Sequence, residues 1–561
     1  MMRKINKYSL ATADICLGMG ILFLWPCVYS SAFCINPGIL HKHTDASMAY
    51  KFQYMCRHRH RHASQTAIYS QNAKSKIPEI DIQNFAQDFA QSGAWGTHPI
   101  LLRNAFKTEA KQLLDLHENV DTDMDTDTDA DTDIEKLSED EDIDMACWPD
   151  WGDVMELASD EDAESRLITH IPDDETSWEL EMGPLEIDPA HTDTDTDAHI
   201  GGECDENRKW TVVVNDVDRF VPSLSEWIGD NFAMIPQWRR DDGQISLSNQ
   251  GGGIGAHVDD YDVFLIQMSG RRQWDVGNRV ISTKEEVEGL IPLDVRILNF
   301  WDKEVEEGLV QSFVLEPGDA LYLPPRFGHR GTALTDKCMT LSVGLRAPSA
   351  KEMMTKMMDH ISDATEGNAL KRYTDQKLFH SHDFKGRGER SINELNSEVK
   401  LKGKRLVREA IHEMLDDDDL FDKFFGQLVT ESKRMRFDYP LALNDLDDEC
   451  RKELGVWGDA KTAVDAAING LGVLYASEGL AWAYSHLRED NKCKCRVFID
   501  GNIIEVILEG KDTDDAINMI SKVIDDRKVT KDTLCSDPPE AIKSLLEQLV
   551  DNGYLYGSDE K

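Results

Sequence analysis

Three residues of this chain have the types and spacing to act together on a metal: His257, Asp259 and His329. In AHVDDYDVFLIQ, His257 and Asp259 stand two apart at the start of an extended apolar segment, so their side chains share one face. His329 follows a turn-rich approach, LPPRFGHRG. Two imidazoles and one carboxylate on a triangular face, with the opposite positions open, are the ligand set of non-haem Fe(II) oxygenases. The open positions let an oxidant and a cosubstrate bind together. Spacing alone does not separate this reading from three residues that occur by chance. The surroundings add to it, because Gly251, Gly252, Gly253 and Gly255 free the backbone just before the ligands, where something must approach closely.

The elements that must position these residues read as strands. YDVFLIQMSG is a buried strand, Gly270 a turn, and RRQWDVG a second strand. Pro317, Gly318 and Asp319 make a turn before the apolar strand ALYLP. These are the pieces of a small double-stranded β-helix barrel, spanning roughly 238–347, with its metal in the mouth.

The stretches HPILLRNAF (98–106), WRRDDGQISLS (238–248), HVDDYDVFLIQ (257–267), GRRQW (270–274), LYLPPRFGHRG (321–331) and SVGLRAP (342–348) resemble the ribosomal oxygenases of the JmjC and cupin superfamily. They are most similar to the bacterial type that hydroxylates an arginine of a large-subunit ribosomal protein. The resemblance implies that His257, Asp259 and His329 are catalytic iron ligands, with 2-oxoglutarate and O2 as cosubstrates. It implies that Arg272 clamps the far carboxylate of 2-oxoglutarate, for which a planar guanidinium is a bidentate partner. Arg271 is its neighbour, and neighbours on a strand point opposite ways, so only one of the two enters the barrel. Ser248, Asn249, Thr340 and Ser342 are expected to line the barrel floor, Thr340 and Ser342 beside the cosubstrate. Asp241, Asp242 and Asp262 are candidates for receiving a basic substrate side chain, and Asp260 and Tyr261 for shaping the entrance.

The rest of the 561 residues suggests several domains. The 61 basic against 105 acidic residues give a formal charge of -44, which repels nucleic acid and attracts a basic protein partner. Residues 1–75 read as a targeting presequence. A basic start and an apolar run over 15–29 form a signal-like core, too short for a membrane span, and no membrane contact is expected once the presequence is removed. Ser30, Ser31, Ala32 and Phe33 resemble the cleavage region of plastid presequences in algae with complex plastids. A basic, acid-poor stretch over 47–78 then fits a transit peptide. Plastid delivery is the expectation and mitochondrial delivery the alternative. The oxygenase domain is expected over 76–348, with acidic, disordered DTD-type insertions at 121–145 and 189–207. KEEVEG (284–289) reads as an acidic surface loop.

From 349 the periodicity becomes helical, and 349–445 resembles the family's dimerisation region, which implies a homodimer. In 350–366 the residues Met353, Met354, Met357 and Met358 fall along one side. Residues 446–561 resemble a winged helix. Its candidate recognition helix, 539–549, offers Lys543 against Glu540 and Glu547, so direct nucleic-acid binding is not expected. The eleven cysteines show no disulfide framework.

The expected fold is mainly β, a cupin/JmjC barrel followed by the helical and winged-helix-like regions. The expected activity is Fe(II)/2-oxoglutarate-dependent hydroxylation of an arginine β-carbon in a basic large-subunit ribosomal protein. Histidine hydroxylation, N-methyl-lysine demethylation and non-catalytic binding of basic ribosomal proteins remain the alternatives.

Overall fold

The computed structural model describes residues 76–122, 147–172, 174, 177–186, 208–290, 297–362, 367–374, 395, 397–431, 459–489, 492–510, 513–534 and 537–558. The presequence expected over 1–75 and the insertion expected over 189–207 lie outside them, as does 121–145 beyond its first two residues.

Twelve strands build the first part of the molecule. They are β1 (Glu79–Asp81), β2 (Ile100–Arg103), β3 (Ser165–His170), β4 (Glu179–Met182), β5 (Lys209–Val214), β6 (Arg240–Ser248), β7 (Asp262–Ser269), β8 (Arg272–Val280), β9 (Val310–Leu315), β10 (Ala320–Leu323), β11 (Phe327–Ala333) and β12 (Cys338–Leu345). Nine of them form one sheet in the order β1-β2-β10-β7-β12-β6-β5-β3-β4, and the other three a small sheet, β11-β8-β9. Alternation decides what each face of the large sheet meets. Ile245 and Leu247 of β6, Leu341 and Val343 of β12, and Phe264 and Ile266 of β7 face a helix-covered core. There Phe264 packs against Phe85, Phe89, Phe232 and Tyr322 with ring centroids 4.9–5.5 Å apart. Phe85 and Phe89 come from helix α1 (Phe85–Ser92), capped by the Asn84 side chain and closed at Gly93. The opposite face presents Leu265, Leu321 and Leu323 to Trp274, Val276, Phe313 and Leu315 of the small sheet.

The expected closed barrel is not what forms, and the fold is not mainly β. It is a mixed architecture with substantial helical content, and its two sheets stay open. Among the described residues no ladder joins them; they pack face to face through side chains. The physical reason lies at the edges. β5 pairs along the outer edge of β6 and β2 along that of β10, so the backbone groups that closure would need are already bonded. The early strands thus extend the large sheet.

The expected acidic loop at 284–289 is also corrected. Residues Thr283–Gly289 form helix α2, with Ser282 and Glu285 completing a capping box. Glu286 of this helix is buried.

Helices α3 (Ala350–Ser362), α4 (Ser397–Asp416) and α5 (Asp418–Thr430) follow. The expected one-sided methionine row splits. Met357 is buried and Met353 half-buried with Met414, Phe424 and Leu428, whereas Met354 and Met358 are exposed. The last unit runs helix α6 (Ala460–Asn469), β13 (Val473–Ala476), β14 (Trp482–Glu489), β15 (Lys492–Ile499), β16 (Asn502–Glu509), helix α7 (Thr513–Asp526), β17 (Lys528–Val529), helix α8 (Glu540–Asp551) and β18 (Leu555–Ser558). Strands β17-β13-β18 make one small sheet and β14-β15-β16 another. Arg496 of β15 is buried and ion-pairs with Asp419 and Asp422 of α5 and with Glu505 of β16, tying the helices to this unit. Among the described residues no helix is long and apolar enough to cross a membrane.

Candidate metal centre

His257 lies in the loop between β6 and β7, yet it is paired as if in a strand. Its peptide N–H donates to the His329 carbonyl at 3.0 Å, and the His329 N–H donates back at 3.0 Å. Directly opposed residues of such a pair project to the same side, and the two imidazole centroids sit 4.2 Å apart. Asp259, two residues on, brings Oδ2 to 4.0 Å from His257 Nε2 and 3.5 Å from His329 Nε2. One ligand atom from each of the three lies within 4.8 Å of the others.

The tautomers are set by backbone carbonyls, which can only accept. His257 Nδ1 lies 3.0 Å from the Gly255 carbonyl, and His329 Nδ1 lies 3.0 Å from that of Phe327. Each Nδ1 therefore carries the proton, and each Nε2 keeps its lone pair for a metal. His329 is 2% exposed, and burial, with the neighbouring His257, holds its pKa down at about 4, so it stays neutral, as a metal ligand must be. The glycine run allows the loop to pass here. A Cβ on Gly253 would lie 2.3 Å from the Gly331 carbonyl oxygen, and Gly255 has a φ of 81°.

Strand β8 supplies the second part of the site. Arg272, Trp274 and Val276 are buried and alternate inward. Trp274 bridges the two parts, its ring 5.8 Å from that of His329 and 6.0 Å from the Arg272 guanidinium carbon. Arg272 is 2% exposed, and its Nη2 donates to Ser248 Oγ at 2.8 Å. Ser248 also meets Thr211 Oγ1 at 2.9 Å, which fixes its position. Among the described residues Arg272 has no carboxylate partner, and its buried Nε has no acceptor. A buried cation without a counter-charge is costly unless an anion arrives. These residues fit the groups the sequence called for: two Nε2 atoms and a carboxylate for a divalent metal, and an orphaned guanidinium for a small dicarboxylate.

The other expected residues fall in several places. Arg271 is exposed outside the pocket, its peptide N–H donating to Thr335. Thr340 is buried on the pocket-facing side of β12, but its hydroxyl donates to Gln267 Oε1 at 3.1 Å. Ser342, half-buried, shares that side. Asn249 is turned away, its side-chain oxygen accepting from the Trp210 peptide N–H. Asp262 is buried in the helix-covered core and receives the Tyr322 hydroxyl, with Arg239 at 3.4 Å, so it is not at the mouth. Tyr261 is half-buried, and burial drives its phenol well above the usual range, with Asp259, Asp242 and Asp241 adding to the effect. Asp241 and Asp242 also line a cavity of about 80 Å³ against the last unit, which none of the triad or Arg272 touches. Trp274, Gln267 and Arg326 were not foreseen, although Trp274 and Gln267 sit at alternate positions of strands whose direction was readable.

Residues 228–353 match the JmjC domain family. The chain thus carries a JmjC domain and is similar to ribosomal oxygenases across this region. It is 35% identical over 210 residues to a probable ribosomal oxygenase of Haemophilus influenzae, covering 37% of this chain and 45% of that protein. It is 29% identical over 277 residues to the Escherichia coli ribosomal protein uL16 3-hydroxylase, covering 49% of this chain and 63% of that protein. The chain thus spans roughly half to three fifths of these curated relatives. The fold of the Escherichia coli ribosomal oxygenase YcfD, solved with cobalt and 2-oxoglutarate, superposes with a TM-score of 0.52 at 22% identity, covering 85% of this chain and 99% of that one.

Proposed function

We propose that this JmjC protein is an Fe(II)/2-oxoglutarate-dependent oxygenase that hydroxylates an arginine side chain of a large-subunit ribosomal protein. The observation that carries the reading is a three-ligand cluster together with a buried guanidinium that has no carboxylate partner among the described residues. His257 Nε2, His329 Nε2 and an Asp259 oxygen hold the metal. Arg272 receives the remote carboxylate of the cosubstrate, steadied by Ser248 and flanked by Trp274. The bound metal supplies activation of O2 coupled to oxidative decarboxylation of 2-oxoglutarate. Apolar residues of the small sheet keep water from the cosubstrate side of the pocket.

A basic substrate side chain is favoured by the carboxylates of Asp241 and Asp242, which act on Tyr261 next to the triad. The chain's charge of -44 favours a basic protein as the partner. The exposed Met354, Met358, Leu401, Val407 and Leu415 of α3 and α4 support a homodimer formed through the helical region. The expected plastid or mitochondrial address rests on the basic leader in 1–75, and imaging of a full-length fluorescent fusion decides between the two organelles.

The substrate test incubates the full chain with Fe(II), 2-oxoglutarate, O2 and peptides tiling organellar and cytosolic large-subunit ribosomal proteins, followed by tandem mass spectrometry. Gain of one oxygen on an arginine side chain, absent from His257→Ala, is expected. Oxygen on histidine moves the substrate assignment, and formaldehyde release from a methyl-lysine peptide moves the reaction. Peptide binding without oxidation, with metal occupancy verified, leaves a binding protein.

A further inference from the structure

We infer that Arg326 is a positioning residue for the metal ligand Asp259, acting through an ion-paired latch to Asp260 and Glu286. The inference rests on the metal-site reading above. The two histidine rings are clamped by backbone carbonyls, but the Asp259 carboxylate receives no side-chain hydrogen bond among the described residues. Its place is set through its own main chain. The Asp259 carbonyl accepts the Arg326 peptide N–H at 2.7 Å, three residues before His329.

Arg326 sits at a φ of 69°, in the left-handed region that side chains other than glycine disfavour. Such a conformation persists where the surroundings over-determine it, and here its backbone, Nε and Nη1 are all held. The Arg326 carbonyl accepts the Ile281 N–H at 2.8 Å, and Arg326 Nε donates to the Ile281 carbonyl at 3.0 Å, fastening it to the end of β8. Nη1 donates to Asp260 at 2.9 Å and to Glu286 at 2.7 Å. Asp260 is on the metal loop and its side chain is 74% exposed, whereas the Glu286 side chain is 4% exposed, on helix α2. That helix is tied independently to β8 by Arg279, which reaches Glu285 at 2.9 Å. One guanidinium therefore joins an exposed carboxylate next to the ligand to a buried carboxylate on an anchored helix. Removing it frees Asp260, and with it the peptide that aims Asp259, while Arg272 and Ser248 keep their places on other strands.

The experiment titrates Co(II) into the full-length chain without cosubstrate, following the visible absorption of the bound ion, for wild type, Arg326→Gly, Arg326→Lys, Glu286→Gln and His257→Ala. Glycine suits the backbone angle and deletes the latch together with the Nε bond to the Ile281 carbonyl, whereas Glu286→Gln weakens the latch alone. Arg326→Gly is expected to bind Co(II) about 10–100-fold more weakly, the range for loss of a group that orients a ligand. Glu286→Gln should move affinity in the same direction, and Arg326→Lys should recover part of it. The 2-oxoglutarate dissociation constant at saturating Co(II) should stay within about twofold of wild type. Wild-type Co(II) affinity in both Arg326→Gly and Glu286→Gln overturns the inference, as does an equal loss of cosubstrate affinity. If circular dichroism shows Arg326→Gly unfolded, unchanged affinity in Glu286→Gln alone overturns it. Wild type that binds no Co(II), or His257→Ala that binds it as well as wild type, refutes the metal site itself.

Discussion

Replacing Arg272 by Met should push stability and cosubstrate binding in opposite directions. Arg272 is 2% exposed, makes one side-chain hydrogen bond, to Ser248, and has no carboxylate partner among the described residues. An ion held in such a place costs several kcal/mol in desolvation, against about 1 kcal/mol from one hydrogen bond. Methionine matches the chain length and fills the space beside Trp274 without the charge. The metal-free variant should therefore unfold with a free energy equal to wild type or up to about 2 kcal/mol higher, measured by urea denaturation. Cosubstrate binding loses two charge-assisted hydrogen bonds at about 1.5 kcal/mol each or more, about 3 kcal/mol in all. That corresponds to roughly 150-fold in the 2-oxoglutarate dissociation constant, read by anaerobic calorimetry on metal-loaded protein. Arg272→Lys keeps the charge, loses the fork, and should fall between the two. Affinity within about threefold of wild type in Arg272→Met, or a clear loss of stability, refutes the reasoning: the arginine would then be a structural cation with a counter-charge of its own.

Other outcomes follow from the same geometry. Gly253→Ala places a methyl group against the Gly331 carbonyl with no flexible neighbour to yield, and should lower metal affinity by at least about tenfold in a Co(II) titration. His170, stacked on Trp178, has its pKa held down at about 4 by burial and by Lys209, against about 6.5 in the unfolded chain. Between those values the unfolded form binds more protons, so this residue's contribution is complete above about pH 6.5 and is lost as pH falls toward 4. The fall in melting temperature across that window should be smaller in His170→Phe than in wild type. Arg496→Met leaves Asp419, Asp422 and Glu505 facing one another and should cost about 3 kcal/mol, with amide exchange in 418–430 rising first.

The reach of the sequence differed from residue to residue, for physical reasons. His257 and Asp259 were legible because a two-residue step on extended chain fixes a shared face, and His329 from its turn-rich approach and the family resemblance, whereas its pairing with His257 shows only in the structure. The same alternation says that only one of Arg271 and Arg272 turns inward, and the family resemblance picks Arg272, which is the buried one. Asp262 falls in step with Phe264 and Ile266 and so turns into the core, away from the mouth. Closure of the sheets could not be read at all. Hydrophobic alternation says which face of a strand is buried but not which neighbour takes its edge, and here β2 and β5 take the edges. Helix α2 was mistaken for a loop because its charges dominated, although Ser282 followed by Glu285 is a helix start that could have been recognised. Helix α6 carries its own signals in the sequence, Asp459 at its start and Gly470 at its end. Arg326 carried no signal, since its importance comes from a backbone angle and from partners far apart in the chain.

The most direct measurement of the central claim follows the fate of dioxygen. Full-length protein loaded with Fe(II) is supplied with 2-oxoglutarate, the peptide pool and heavy-isotope O2, and product peptides and succinate are weighed by mass spectrometry. Heavy oxygen in both the hydroxylated peptide and succinate, lost in His257→Ala and restored to Arg272→Met only at much higher 2-oxoglutarate, is the expected result. Oxygen drawn from water, or succinate formed equally well by His257→Ala, would contradict the assignment of this site as the oxygenase centre.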